Sequence, residues 1–464
     1  MIDPVLASRL QFAWTTAVHI IFPAISMGLA PFLVYFAWKE MRGAGEPWVS
    51  LRRFWVKIFA LTFVVGTVTG IVLEFEFGTN FAAYASIVGG IFGGPLATEG
   101  LMAFMLESTF LGILLFGKER VSKRLYFLSA VLVALGSWLS AVWILIANSW
   151  MQLPRGFEMG TRAGQEVAVI VDPIAAYLNP RFFFMFTHMQ ASAVLSAALF
   201  MAGIAMYKLT TTESRRQFWM TSLKLAIVGM LITAPFMAVQ GDAYGRHVYE
   251  TQPQKFAAME AVYETESGVS EYLFAVPTDP ADLRNPSARN LFAIGIPGGA
   301  SFLASGGDPD ATIKGLDDME SLEGVEGEPP VAIVFWSFRL MVGLGVWFIL
   351  LAFWSGFRWY QDRLLKDQYL QKALMLSIPL GVLALEFGWI VTEVGRQPWA
   401  IQEVLTVAAG VSPGLTGGEA LLTLVGFVGG YTALFAVWAY LVRRLIIRGP
   451  KEPATEDEAE VVPE

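Results

Sequence analysis

About nine stretches of mainly apolar residues run through the chain, near 10–37, 53–77, 93–117, 125–149, 180–207, 219–239, 330–357, 373–394 and 418–445. Each approaches or exceeds the roughly 20 residues that a helix needs to cross the ~30 Å hydrocarbon layer of a bilayer. Of 464 residues, 55% are hydrophobic and only 16% charged, a composition too apolar for an ordinary soluble protein of this size. The expected fold is an all-α integral membrane bundle of about nine transmembrane helices. With no cysteine, disulfides, thiolate-held iron–sulfur clusters and a covalently attached c-type haem are excluded. The net charge of −8 owes much to acidic residues around 308–328 and in the C-terminal tail, and it argues against nucleic acid as a partner.

Basic residues set the expected orientation. Lys39, Arg42, Arg52 and Arg53 follow the first span, and Lys118, Arg120, Lys123 and Arg124 the third. Lys208, Arg215 and Arg216 follow the fifth, Arg358, Arg363, Lys366 and Lys372 the seventh, and Arg443, Arg444, Arg448 and Lys451 the last. The connection after the second span, GTNFAAYASIVGG, has no charge. Because Lys and Arg gather on cytoplasmic connections, the N-terminus is expected outside and the C-terminus in the cytoplasm. Three regions follow: a transmembrane bundle over 1–448, one large outer loop over 241–329 within it, and an acidic, disordered cytoplasmic tail over 449–464. A loop that long is usually a lid or binding loop, and its His247 is expected to be solvated. The N-terminus lacks the basic flank and cleavage site of a signal peptide, so the first span is expected to be retained. No internal repeat marks the chain as an inverted-repeat transporter.

Ten ionisable residues lie in or at the edge of these spans: His19, Lys57, Glu74, Glu76, Glu99, Glu107, His188, Arg339, Glu386 and Glu393. Each costs several kcal/mol in hydrocarbon unless it faces the interior with a partner. One such residue reads as a helix-end group or an interhelical strut; ten together point to chemistry inside the membrane. An imidazole and a thioether are the ligand types of a six-coordinate haem iron, which singles out His188, His19 and Met341. Most of the 18 methionines are packing filler, so Met341 gains meaning only from its company. His188 and Met341 lie some eight and eleven residues inward from the outer ends of their spans, within about a turn of one level. His19, Glu99 and Glu393 also lie toward the outer leaflet. Glu107 is eight residues deeper than Glu99 and about 80° around the helix, with Ser108 beside it and Ser140 and Asn148 on the next span, a spacing suited to proton carriers. Arg396, one turn beyond Glu393, is placed to pair with it or with a haem propionate.

Several motifs resemble subunit I of the cytochrome bd-type quinol oxidases. They are SRLQFAWTTAVHIIFP around His19, LEFEFGTN at 73–80, GGPLATEGLMAFMLESTF around Glu99 and Glu107, ALGSWLSAVWILIANSWMQ at 134–152, FWSFRLMVG around Arg339 and Met341, FGWIVTE ending at Glu393, and GRQPW at 395–399. The resemblance runs from Met1 to about Arg448. It implies His188 and Met341 as axial ligands of a low-spin haem b, and His19 and Glu393 as ligands of two high-spin haems, one of type b and one of type d or a further haem b in its place. Arg339, Trp389, Arg396, Arg9, Asn148 and Lys57 would line the cofactors. Glu99, Glu107, Ser108 and Ser140 would serve the proton route, and Lys255 and Glu260 in QPQKFAAMEA the oxidation of quinol. The loop resembles the short form of that family's quinol loop, a form found in so-called cyanide-insensitive members.

The implied activity is that of a respiratory terminal oxidase in the prokaryotic cytoplasmic membrane. Quinol would be oxidised outside and O2 reduced to water with cytoplasmic protons, beside a second membrane subunit and a small single-span one. Two other classes fit part of these residues. A haem-bearing electron carrier without O2 chemistry would share His188 and Met341, and a proton-coupled transporter would use the buried carboxylates. Haem counting separates the first from an oxidase, and a colourless purified protein would mark the second.

Overall fold

The structure is a computed structural model that describes residues 2–162, 164–277, 290–319 and 327–450. The acidic tail from residue 451 and two pieces of the large loop, 278–289 and 320–326, lie outside the described residues. Eight described helices are long and apolar enough to cross a membrane, and a helix pair bent by 44° makes a ninth if taken as one span.

The first spans are α1 (Pro4–Met41) and α2 (Trp48–Thr79). The third is α3 (Ala82–Thr98), which runs through a π-helical segment, Glu99–Phe104, into α4 (Met105–Phe116). Most of the uncharged GTNFAAYASIVGG connection is therefore already helix. After α5 (Lys123–Gln152), a hairpin of β1 (Phe157–Arg162) and β2 (Gln165–Ile170) leads through the short α6 (Pro173–Tyr177) to α7 (Pro180–Thr211) and α8 (Arg216–Thr251). The large connection holds α9 (Pro253–Glu260), β3 (Glu266–Ser267), β4 (Glu271–Pro277), β5 (Asn290–Ile296), α10 (Gly299–Ser305) and β6 (Thr312–Ile313), with β4 and β5 paired antiparallel and β3 paired to β6. The chain continues through α11 (Val331–Tyr360), the bent pair α12 (Gln368–Leu376) and α13 (Leu380–Val394), β7 (Trp399–Ile401), β8 (Leu405–Thr406), α14 (Val407–Gly410) and α15 (Gly417–Arg448).

Local chemistry sets several helix ends. Asp3 and Asn179 accept hydrogen bonds from the first free backbone N–H groups of α1 and α7, each followed by a proline that has no N–H to lose. Thr416 and Glu419 close a reciprocal capping box on α15. Pro379, with no N–H for the helical ladder, stands at the α12–α13 bend.

Helix α7 is the hub, with 83% of its most apolar window buried, and it packs against α1, α5, α8, α12 and α13. Small residues allow the crossings: a Cβ on Gly28 would sit 2.0 Å from the Ala193 carbonyl oxygen, and one on Gly203 2.7 Å from that of Leu374. The sixth span outruns its apolar stretch, because residues 241–251 continue α8. The loop therefore begins after Thr251, eleven residues later than expected. His247 is accordingly not solvated: it is buried and stacked on Phe184, ring centroids 4.8 Å apart.

Candidate functional site

Two imidazoles are fixed in the same way. His19 Nδ1 lies 2.9 Å from Thr69 Oγ1. That hydroxyl donates to the backbone carbonyls of Val65 and Gly66, so it must accept from the ring. His188 Nδ1 lies 2.5 Å from Gln240 Oε1, and the Gln240 amide nitrogen donates to the Phe184 carbonyl and to Thr187. Both networks assign the proton to Nδ1 and leave Nε2 as a lone-pair donor, and no described residue hydrogen-bonds either Nε2. Glycines make room: a Cβ on Gly70 would approach His19 Cε1 to 3.0 Å, and one on Gly388 would approach Met341 Sδ to 3.0 Å. His188 lies against Gly241 of α8 and Met341 against Gly388 of α13, and α8 and α13 each contact both α7 and α11.

Glu393, at the end of α13, is held on both oxygens. Oε1 accepts from Asn148 at 2.9 Å and from Gln152 at 3.2 Å, and Oε2 from Arg396 at 2.5 Å. Arg396 therefore does pair with Glu393. From Gln152 the network continues into the large loop, where Lys255 Nζ donates to Gln152 Oε1 at 2.5 Å and to Gln252 Oε1 at 2.8 Å. Gly395 lets the lysine stem pass, since a Cβ there would lie 2.8 Å from Lys255 Cγ. Burial, reinforced by the cations of Arg181 and Arg396, holds the Lys255 ammonium well below the usual lysine range, against the opposing charge of Glu393.

A second tie joins loop to bundle. The buried Arg339 guanidinium donates through one terminal nitrogen to Glu260 at 2.5 Å and through the other to Glu271 at 2.7 Å, with the Phe335 ring beneath it at 4.7 Å. One cation faces two carboxylates. Burial and the neighbouring Glu260 push the Glu271 carboxyl up to about 8, with Arg339 opposing.

Glu99 and Glu107 have a different relation from the one α-helical spacing predicts. The π segment between them carries about one extra residue per turn, which takes back about 100° and brings the two carboxylates near a common face. That face meets α5: Ser140 donates to Glu99 at 2.5 Å, and Ser137 donates to Glu107. Gly136 permits the approach, since a Cβ there would lie 3.0 Å from Glu107 Cβ.

Other expected residues fall elsewhere. Ser108 bonds back to the Met105 carbonyl of its own helix, and Asn148 belongs with Glu393 rather than with the serines. Lys57 does not face the interior: it is exposed on α2, where an ammonium can reach polar surroundings without desolvation. Arg9 is exposed too and donates to Gln397 at 3.1 Å. Trp389 packs into a cluster that contains Ile20 and Ala24 of α1 and Phe182 and Met185 of α7, and so lies between the His19 and His188 sides of the bundle. Thr69, Gln240, Ser137, Gln152, Arg181 and Glu271 were not singled out by the sequence. All but Arg181 and Glu271 are small or amide side chains that hydropathy does not flag.

The donor set fits haem. Among the described residues no three His, Cys, Asp or Glu side chains converge as a cage for a bare ion; the candidate ligands stand singly, as suits a macrocycle that brings its own four nitrogens. Buried Arg181 and Arg396 each keep Nε and Nη1 without a hydrogen-bond partner, unpaired cationic donors where anionic propionates would be welcome.

Fold and site together define a class, a multi-pass helical membrane protein whose interior is equipped for redox cofactors. The family profile described as "Cytochrome bd terminal oxidase subunit I" matches residues 7–450. Cytochrome bd ubiquinol oxidase subunit 1 of Bacillus subtilis (strain 168) is 35% identical over 98% of this chain and 96% of its own length. Cytochrome bd-II ubiquinol oxidase subunit 1 of Escherichia coli (strain K12) is 32% identical over 98% and 99%. The structure of bd oxidase from Geobacillus thermodenitrificans superposes with a TM-score of 0.85 at 31% identity, covering 97% of this chain and 99% of that one. The chain belongs to the cytochrome bd terminal oxidase subunit I family. It is thus part of a haem-dependent quinol:O2 oxidoreductase and a multi-pass protein of the bacterial cytoplasmic membrane.

Proposed function

We propose that this subunit oxidises membrane quinol at the extracytoplasmic face and reduces O2 to water inside the bundle, drawing the protons for water from the cytoplasm. The observation that carries the reading is the matched pair of imidazoles, each with Nδ1–H committed to a protein acceptor and Nε2 left to ligate. His188 and Met341 would hold a low-spin haem b, and His19 and Glu393 the two high-spin haems, one of type b and one of type d or a further b. When bound, these haems would supply one-electron carriers and an iron with an open position for O2.

The protein's own groups supply the rest. Lys255 and Glu260, buried at the inner end of the large loop, offer a poorly solvated amine and a carboxylate to quinol hydroxyls. Gln152, bonded to both Lys255 and Glu393, orients the two across the loop–bundle boundary. Glu107 with Ser137, and Glu99 with Ser140, would hold protons on their way from the cytoplasmic side. Arg181 and Arg396 would fix propionates. A second membrane subunit, and a small single-span one, would cover lipid-facing flanks such as that of α15, whose most apolar window is only 11% buried. Basic residues clustered after the odd-numbered spans support an extracytoplasmic loop.

Oxygen uptake driven by reduced quinone tests the reading. His188→Ala and Glu99→Ala are each expected to abolish it, the first with loss of low-spin haem colour and the second with colour retained. Wild-type turnover in either variant would sink the assignment.

A further inference from the structure

Glu271 stands where three features meet. It is the less buried of the two carboxylates on Arg339, its side chain 15% exposed against 3% for Glu260. It also lines an open cavity of about 340 Å³ whose other walls are apolar, among them Ile296, Phe302, Leu303 and Pro309. Gly299 brings α10 so close that a Cβ there would sit 2.6 Å from Glu271 Cβ, which holds the carboxyl stem at the cavity edge.

The elements that line the cavity also carry exposed apolar side chains. Leu273 and Phe274 of β4, Leu291 and Phe292 of β5, and Phe302 of α10 are all exposed. Phe274 packs edge-on to Trp336, ring centroids 5.0 Å apart, and Trp336 lies in the first two turns of α11, a membrane-spanning helix whose Ile333 is exposed beside it. The hairpin therefore packs on the end of a membrane-spanning helix, which offers an amphiphile an apolar approach from lipid toward the cavity. A volume of a few hundred Å³ with one convergent acid suits a hydroxylated ring on an apolar tail.

We infer that Glu271 is a further catalytic residue of quinol oxidation, accepting a hydroxyl proton from a quinol ring that enters this cavity from the lipid. The inference rests on the reading that quinol is oxidised at this loop. Quinol loses two electrons and two protons to become quinone. One ring O–H bond breaks as the Glu271 carboxyl O–H forms, the other proton goes to Glu260 or water, and the electrons leave by the oxidase's own path to O2. Glu271 then releases its proton through its exposed edge to the outer water. The charged groups that face it are Arg339 from α11 and Glu260 from α9; β5 and α10, packed on β4, bring none among their described residues. An acceptor must be ionised, and burial beside Glu260 raises this carboxyl to about 8, so quinol turnover is expected to climb as pH rises toward and through that value.

The test uses the whole oxidase in membranes. Glu271→Gln keeps the shape and the bond to Arg339 but cannot take a proton. It is expected to cut quinol-driven O2 uptake about tenfold or more and to flatten the alkaline rise. Uptake driven by the dye TMPD, which gives electrons without a hydroxyl proton, should stay at the wild-type rate. Glu271→Asp should recover part of the quinol rate. An unchanged quinol rate and pH profile in Glu271→Gln overturns the inference, and so does an equal loss with both donors, which would mark a structural role. Wild-type quinol turnover in both Lys255→Ala and Glu260→Ala would instead overturn the underlying assignment of the loop.

Discussion

Thr69 and Gln240 carry no charge and sit in apolar helices, yet each determines which nitrogen of a histidine is free. Removing the acceptor releases the ring to rotate or to change tautomer, and such outer partners are typically worth about 10–100-fold in ligand affinity. Gln240→Leu is therefore expected to lower the low-spin haem content of purified protein, whereas Gln240→Glu, which keeps an oxygen opposite Nδ1, should retain it. Pyridine haemochrome analysis and reduced-minus-oxidised spectra read both. Thr69→Val should act in the same direction on the site of His19 and leave the low-spin band in place. Equal haem content and spectra in Thr69→Val and wild type would show that the hydroxyl does not orient His19.

The third span shows how one element can redirect two catalytic candidates. An uninterrupted α-helix would set Glu107 about 80° from Glu99; the π segment at Glu99–Phe104 brings both toward the serines of α5. Ser137→Ala combined with Ser140→Ala removes both hydroxyl donors that α5 presents to this face. Turnover should fall at least about tenfold, on the scale of a lost proton-transfer group, while haem absorbance persists. Turnover close to wild type would mean that the serine contacts do not serve proton delivery.

At the scale of the molecule, the large loop is fastened to the bundle by two buried polar knots, Lys255 on Gln152 and Arg339 on Glu260 and Glu271. Arg339→Leu would strand two carboxylates without their cation, and breaking a buried pair in this way costs about 3–5 kcal/mol. The expected result is faster hydrogen exchange and protease cleavage across residues 253–277, with the transmembrane helices unaffected. Protection equal to wild type in that segment would show that the guanidinium does not hold the loop down.

Fold class and the approximate number of spans were legible in the chain itself, because apolar run length is a property of a segment and its solvent. The end of α8 was not. Gly241 and the polar residues after it resemble a break, but the helix continues through residue 251 because His247 and Val248 find buried neighbours. Nor were Thr69, Gln240, Ser137 and Gln152 legible as partners. A hydrogen bond reaches about 3 Å, so its existence depends on how each helix is rotated against the next. That rotation comes from close glycine contacts such as Gly28 on Ala193 and Gly136 on Glu107, and from one π turn. The order of residues determined which segments can cross a membrane; only the packed bundle decided which side chains are buried and which of them touch.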